Sequence, residues 1–312
     1  ARPAPEPVMP GLLGDLAWRI LEFVPRPVQV ASSLSEGSAT LLRGDAQPRR
    51  LLGHTAPIVD IKFFPGGDRI VTAGADGVAI VWSAPWGHML QRLQPYFPDR
   101  HDRLLEVQVF PDGERVVTLG QRRAVVWAAA TGETILTIHL AALEQHRSVR
   151  VCSRGERIVT GVSHALGDPM VVWSTANGGE LHRLRQPNDR VRFMELSPDG
   201  ERLVSAGFRG VFIWNTTWGL LERELDMCAR WVSGVAITDS AQVLVGSLTG
   251  RLLVWDGAGQ LNRTLQMGSG VLAFAPLPGD RIVALTASEA VVWHTASGRR
   301  LRALEGAGGA GR

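Results

Sequence analysis

Lysine, cysteine and long apolar runs are scarce in this 312-residue sequence. Cys152 and Cys228 are the only cysteines, far apart and without the spacing of metal ligands. So little cysteine fits a reducing compartment, and an intracellular location, cytoplasmic or nuclear, is expected. No stretch approaches the roughly 18 consecutive apolar residues of a membrane helix. The first ten residues are Pro-rich and show no basic region followed by an apolar one, so no secretory signal is read there. Lys62 is the single lysine, which leaves one candidate for Schiff-base or phosphate-anchoring chemistry. It sits within an apolar strand, where a solvent-facing role is expected. The phosphate-binding Gly loop, HExxH, paired CxxC, G-x-S-x-G and EF-hand patterns are all missing. No catalytic residue, cofactor, metal site or small-molecule substrate is therefore expected.

What remains is apolar and arginine-rich. Hydrophobic residues make up 45% of the chain, enough for a sizeable core, and the formal net charge is only +3. All but one of the 33 lysines and arginines are arginine. That excess reflects either the codon usage of a GC-rich genome or an arginine contact surface, since guanidinium pairs bidentately with carboxylate and phosphate. A charge so near neutral does not by itself argue for nucleic acid.

Repetition dominates the pattern. Six short apolar strands end in tryptophan, at Trp82, Trp127, Trp173, Trp214, Trp255 and Trp293, with spacings of 45, 46, 41, 41 and 38 residues. Upstream of each runs a second phrase: FPGGDRIVTAG (64–74), FPDGERVVTLG (110–120), CSRGERIVTGV (152–162), SPDGERLVSAG (197–207), TDSAQVLVGSL (238–248) and PLPGDRIVALT (276–286). Each reads as a tight turn followed by a strand, with Pro, Asp and Gly supplying the turn dihedrals. An apolar strand precedes each turn, and a more polar strand follows each tryptophan. Every unit is thus strand a, turn, strand b, loop, strand c, loop, strand d.

These units resemble the WD40 family over about residues 28–305, and the resemblance implies a β-propeller. The family's Gly-His survives as Gly53-His54 and its Trp-Asp ending as Trp255-Asp256. Its buried hydrogen-bond network has a full set of matching residues in one unit, His54, Thr72, Asp76 and Trp82. Thr118 and Ser205 keep the hydroxyl position without a matching Asp, so their blades are expected to depend more on apolar packing. His101 and His146 are weaker equivalents of His54.

The N-terminal stretch 39–52 aligns with 290–304, placing Leu42 at a tryptophan position, and VQVASSL (28–34) fits strand b. Six complete blades plus strands b, c and d of a seventh are expected, without its strand a. Residues 306–312 read as a Gly-rich tail and 1–27 as a Pro-rich segment. Within the latter, 12–24 has helical apolar spacing stopped by Pro25 and Pro27. That helix would cap the ring or dock a partner. Its phrase is similar to the first helix of an F-box, although the remaining F-box helices are absent.

In a propeller the d–a and b–c loops share one face, where WD40 proteins most often hold partners. The resemblance therefore assigns a candidate surface to Tyr96, Phe97, Arg100, Arg103, Arg122, Arg123, Arg147, Arg185, Arg190, Phe208, Arg209, Arg230 and Trp231. Arginine and aromatics are the types enriched at binding hot spots. Trp86 and Trp218, on c–d loops, are candidates on the opposite face. The expected function is a non-enzymatic scaffold within a multiprotein complex, holding protein partners or acidic or phosphorylated peptides. Two alternatives stay open: a ubiquitin-ligase substrate receptor using the 12–24 helix, and an RNA-binding subunit.

Overall fold

A computed structural model describes residues 29–33, 37–42, 49–94, 102–140, 147–152, 154–161, 170–186, 191–207, 210–225, 231–238, 240–277 and 279–304. The helix expected over 12–24 lies outside them. All the regular structure described is β. The first sheet has three strands, β1 (Gln29–Ser33), β2 (Ser38–Leu42) and β3 (Arg49–Leu52). Six four-stranded antiparallel meanders follow. Blade 1 is β4 (Ile58–Phe63), β5 (Arg69–Gly74), β6 (Ala79–Ser83) and β7 (Met89–Leu93). Blade 2 is β8 (Leu104–Val109), β9 (Arg115–Gly120), β10 (Arg123–Ala128) and β11 (Thr134–His139). Blade 3 is β12 (Ser148–Val151), β13 (Arg157–Gly161), β14 (Met170–Ser174) and β15 (Glu180–Leu184). Blade 4 is β16 (Phe193–Leu196), β17 (Arg202–Ala206), β18 (Val211–Asn215) and β19 (Leu220–Leu225). Blade 5 is β20 (Val232–Ile237), β21 (Val243–Ser247), β22 (Arg251–Trp255) and β23 (Leu261–Gln266). Blade 6 is β24 (Val271–Leu277), β25 (Arg281–Thr286), β26 (Ala290–His294) and β27 (Arg299–Leu304).

The three-stranded sheet is the seventh blade of the propeller. Among the described residues no fourth strand joins it, and β27 pairs with β26 alone. The b and c strands are buried on both faces, which is why they read as continuous apolar runs rather than alternating ones. Their side chains pack between blades. Val71, Ala73 and Val81 of blade 1 share a core with Val107, Val116 and Trp127 of blade 2. Ala39 and Leu51 of the seventh blade join Ile58, Ile70 and Trp82 of blade 1.

Polar ties add to this packing. The inner a strands of neighbouring blades splay apart, and carboxylates bridge them. Asp60 accepts the Val107 amide at 3.1 Å, and Glu106 accepts the Val149 amide at 2.7 Å. Glu106 also meets Arg150 at 2.7 Å, and Arg150 reaches Glu195 at 3.1 Å. Burial alone would raise Glu106, but Arg150 and Lys62 outweigh it and hold the carboxyl below its usual range. Lys62 is partly exposed, as a solvent-facing residue would be, but it is also paired. Its ammonium pairs with Asp60 at 2.9 Å on the inner strand, where burial pushes Asp60 up and Lys62 opposes the shift.

At the a–b turns arginine does the bridging. Arg69 donates to the Gly113 carbonyl at 2.8 Å, Arg157 to the Thr217 hydroxyl at 2.8 Å and Arg202 to the Gly257 carbonyl at 3.0 Å, each in the next blade. Arg69 and Arg115 also lie over the rings of Phe64 and Phe110, both at 4.3 Å. Part of the arginine excess is thus structural. Cys152 is structural too: it is buried, and its Sγ accepts the Arg157 amide just as Ser197 Oγ accepts that of Arg202.

Candidate partner-binding face

The d–a and b–c loops are anchored by hydrogen-bond networks, and the fullest is in blade 1. Trp82 Nε1 donates to Thr72 Oγ1 at 2.9 Å. Thr72 Oγ1 lies 2.7 Å from His54 Nε2, and His54 Nδ1 lies 3.1 Å from Asp76. The Asp76 carboxylate only accepts, so Nδ1 carries the ring hydrogen that meets it, and Nε2 of the neutral ring accepts from Thr72 Oγ1. Asp76 also accepts the Thr55 amide at 2.8 Å and the Val78 amide at 3.2 Å, closing both loops. The His54 and Asp76 side chains are 1% and 6% exposed. Burial holds His54 below its ordinary value although Asp76 pulls the other way, so the ring is neutral. Burial would raise Asp76, but the Thr55 amide and His54 outweigh it and hold it ionised. Gly74 makes room for the pair: a Cβ there would stand 2.2 Å from Asp76 Oδ1 and 2.3 Å from His54 Nδ1.

The other blades keep parts of this arrangement, so blades 2 and 4 do not rely on apolar packing alone. The indole–hydroxyl bond recurs as Trp127 to Thr118 at 2.9 Å, Trp173 to Thr160 at 2.8 Å and Trp214 to Ser205 at 2.9 Å. Thr160 was missed in the sequence although its phrase RIVTG carries the hydroxyl in register. In blade 4, Gln186 stands two residues beyond a d strand, as His54 does, and accepts from Ser205 at 2.8 Å. In blade 2, Asp102 accepts the amides of Gln121 at 2.8 Å and Arg122 at 3.2 Å, and so ties the two loops. His101 and His146 lie outside the described residues. In blades 5 and 6 the position opposite the second residue before tryptophan is Val245 and Ala284. With no hydroxyl there, Trp293 Nε1 is buried without a hydrogen-bond partner.

Of the candidate surface residues, Tyr96, Phe97, Arg100, Arg190, Phe208, Arg209 and Arg230 lie outside the described residues. Arg103, Arg122, Arg147 and Arg185 are exposed on one face, together with Arg192, which the sequence reading did not single out. All five belong to the loops of blades 2 to 4. Arg123 turns inward, half-buried, with Nε 3.5 Å from Asp102. Trp231 is 57% exposed and holds a left-handed φ of 65°, with its carbonyl bound by the Leu248 amide at 2.9 Å. The described carboxylates of this face are each engaged internally: Asp76 with His54, Asp102 with the b–c loop, and Glu289 with Arg300. On the opposite face Trp86 and Trp218 are 62% and 70% exposed.

The same face opens into the channel between the inner strands. A cavity of about 290 Å³ lies there, walled by strands β12, β16, β20 and β24.

Six four-stranded meanders, each with a tryptophan on its strand c, beside a three-stranded sheet define the class: a repeat β-propeller. The family model described as WD domain, G-beta repeat matches residues 46–83, which hold the His54 network. Over 169 residues the chain is 29% identical to cilia- and flagella-associated protein 52 of Chlamydomonas reinhardtii, covering 52% of this chain and 25% of that protein. Over 73 residues it is 40% identical to centriole proteome protein 16 of the same organism, covering 21% of this chain and 4% of the relative. The chain therefore spans no more than a quarter of the length of either relative. The crystal structure of the computationally designed Ika8 protein shares the fold, with a TM-score of 0.75 at 21% identity, over 90% of this chain and 85% of that one. The chain thus carries a match to the WD40 repeat at residues 46–83 within a β-propeller fold. No helix among its described residues is long and apolar enough to cross a membrane.

Proposed function

We propose that this propeller is a non-enzymatic interaction scaffold that holds an acidic or phosphorylated segment of a partner protein on its d–a face. One observation carries the reading. Five arginines of that face are exposed, while Asp76, Asp102 and Glu289 are tied up within the fold. Exposed guanidinium groups suit bidentate capture of carboxylate or phosphate. The scaffold role agrees with the WD40 family, and the names of the two relatives support an intracellular multiprotein assembly of the ciliary or centriolar kind.

Replacing Arg103, Arg122 and Arg147 together by Glu is the test. These side chains are exposed, so melting should stay within a few degrees of the parent while capture of protein partners from the native source falls away. Undiminished recovery of the same partners would overturn the proposal. So would recovery of RNA in their place, with the steep salt dependence of phosphate contacts.

A further inference from the structure

We infer that the channel mouth on the d–a face receives one aromatic side chain of the bound acidic segment, tryptophan or tyrosine, with carboxylates on its flanks. This rests on the function proposed above and specifies the partner's chemistry.

The cavity has two unlike walls. One is polar and already satisfied: Arg150 sits between Glu106 and Glu195, so it has no charge left for a ligand. The other is apolar and partly uncovered: Phe193, Val235, Leu272 and Phe274 are only half-buried although they stand on inner strands. An uncovered apolar wall inside a channel favours a nonpolar occupant. The size selects a small one. At about 290 Å³ the space falls at the bottom of the range of roughly 300–1,000 Å³ for whole-ligand pockets, so it suits one side chain rather than a free metabolite.

Two further features narrow the occupant. Ser233 lines the cavity, and its buried hydroxyl has no hydrogen-bond partner. Once a χ1 rotation turns that hydroxyl to the cavity, an indole N–H or a phenol O–H gives it one, which phenylalanine and leucine cannot. Arg192 also lines the cavity and is exposed, with its guanidinium 5.7 Å from the centroid of the Phe193 ring. The arginines of blades 2 to 4 continue outward from this lip. Carboxylates beside the inserted ring therefore meet cations as soon as they leave the mouth. Trp231 precedes β20 on the same lip, held exposed in a strained backbone conformation of the kind that clusters at binding sites.

The test uses two fluorescein-labelled pentapeptides and the full chain. One has tryptophan between two pairs of glutamates; the other has alanine at the centre. Anisotropy titrations at low salt should show the tryptophan peptide binding at least about tenfold tighter, the scale of a partly buried aromatic side chain. Val235→Trp, which fills the cavity from within, should bring the two peptides to equal affinity while leaving their shared, salt-sensitive binding. Arg192→Glu should weaken both. Equal affinities for the unaltered chain overturn the cavity inference and leave the arginine face standing. Failure of both peptides to bind overturns the two readings together. Persistence of the tryptophan preference in a folded Val235→Trp chain puts the ring elsewhere and also overturns the inference.

Discussion

Blades 1 to 4 and blades 5 and 6 share one architecture but are fastened differently. In the first group every strand c tryptophan donates to a hydroxyl, at Thr72, Thr118, Thr160 or Ser205. Carboxylates stitch β4 to β8 and β8 to β12, and arginines reach from strand b into the following blade. In the second group Val245 and Ala284 replace the hydroxyl. Gln242 stands where the other turns carry arginine, and its Oε1 is buried without a partner. Gly234 and Ala273 occupy the inner-strand register held by Asp60 and Glu106. The junction of blades 5 and 6 keeps two ties, Ser240 to Asp280 at 2.7 Å and Arg263 to the Ala296 carbonyl at 3.0 Å. The exposed arginines rise from the tightly fastened blades, and Trp231 and the apolar wall of the cavity belong to their border with the looser pair. A propeller can thus keep its shape with fewer polar ties in some blades, while such ties concentrate where a charged surface must be held in place.

Substitutions can break or sharpen that contrast. The largest effect is expected from Gly74→Ala, which drives a methyl group into the His54–Asp76 pair. A loss of about 2–3 kcal/mol in urea unfolding is expected, because buried polar groups lose their partners. Gly246→Ala, its neighbour in type on blade 5, would strike the Phe274 ring and Ser233 rather than a polar network. Only the Gly74 variant should therefore lose pH dependence.

That pH dependence follows from His54. Its folded pKa lies below the unfolded value of about 6.5, so the unfolded chain binds the proton first as pH falls. The contribution is complete above about 6.5 and is lost below it until the folded pKa is passed. Asp76, also lowered, acts in the same direction at more acid pH. His54→Gln copies the arrangement of Gln186 in blade 4 and should flatten the fall in melting temperature between pH 7 and pH 5. An equally steep fall in the variant would assign the effect to other histidines.

The smallest effect is a gain. Ala284→Ser sets a hydroxyl opposite Val291, within the register that serves tryptophan in blades 1 to 4. Satisfying Trp293 Nε1 should raise stability by about 1 kcal/mol, read as a higher urea midpoint with unchanged slope. The same change has nothing to gain in blade 2, where Thr118 already serves Trp127.

The blades were legible in the sequence because tryptophan, turn and apolar strand recur in one linear order. The seventh blade was legible too, since Leu42 falls in register with the tryptophans even though its chemistry differs. The His54 set could be named because all four residue types match the family. Gln186 escaped notice because its likeness to His54 is positional and depends on where strand d ends. The arginine bridges escaped because an Asp-Arg or Glu-Arg pair reads as turn chemistry, and the reach of Arg69 to Gly113 exists only once two blades stand side by side. The cavity was hidden for the same reason, being walled by four strands some 40 residues apart in sequence.

Amide hydrogen exchange resolved blade by blade tests most directly the claim that polar ties make blades 1 to 4 the firm support of the arginine face. Protection reports the free energy of local opening. Strands β6, β10, β14 and β18 should exchange several-fold more slowly than β22 and β26, and Ala284→Ser should narrow the gap for β26 alone. Uniform protection across the six strands, or slower exchange in blades 5 and 6, would contradict it.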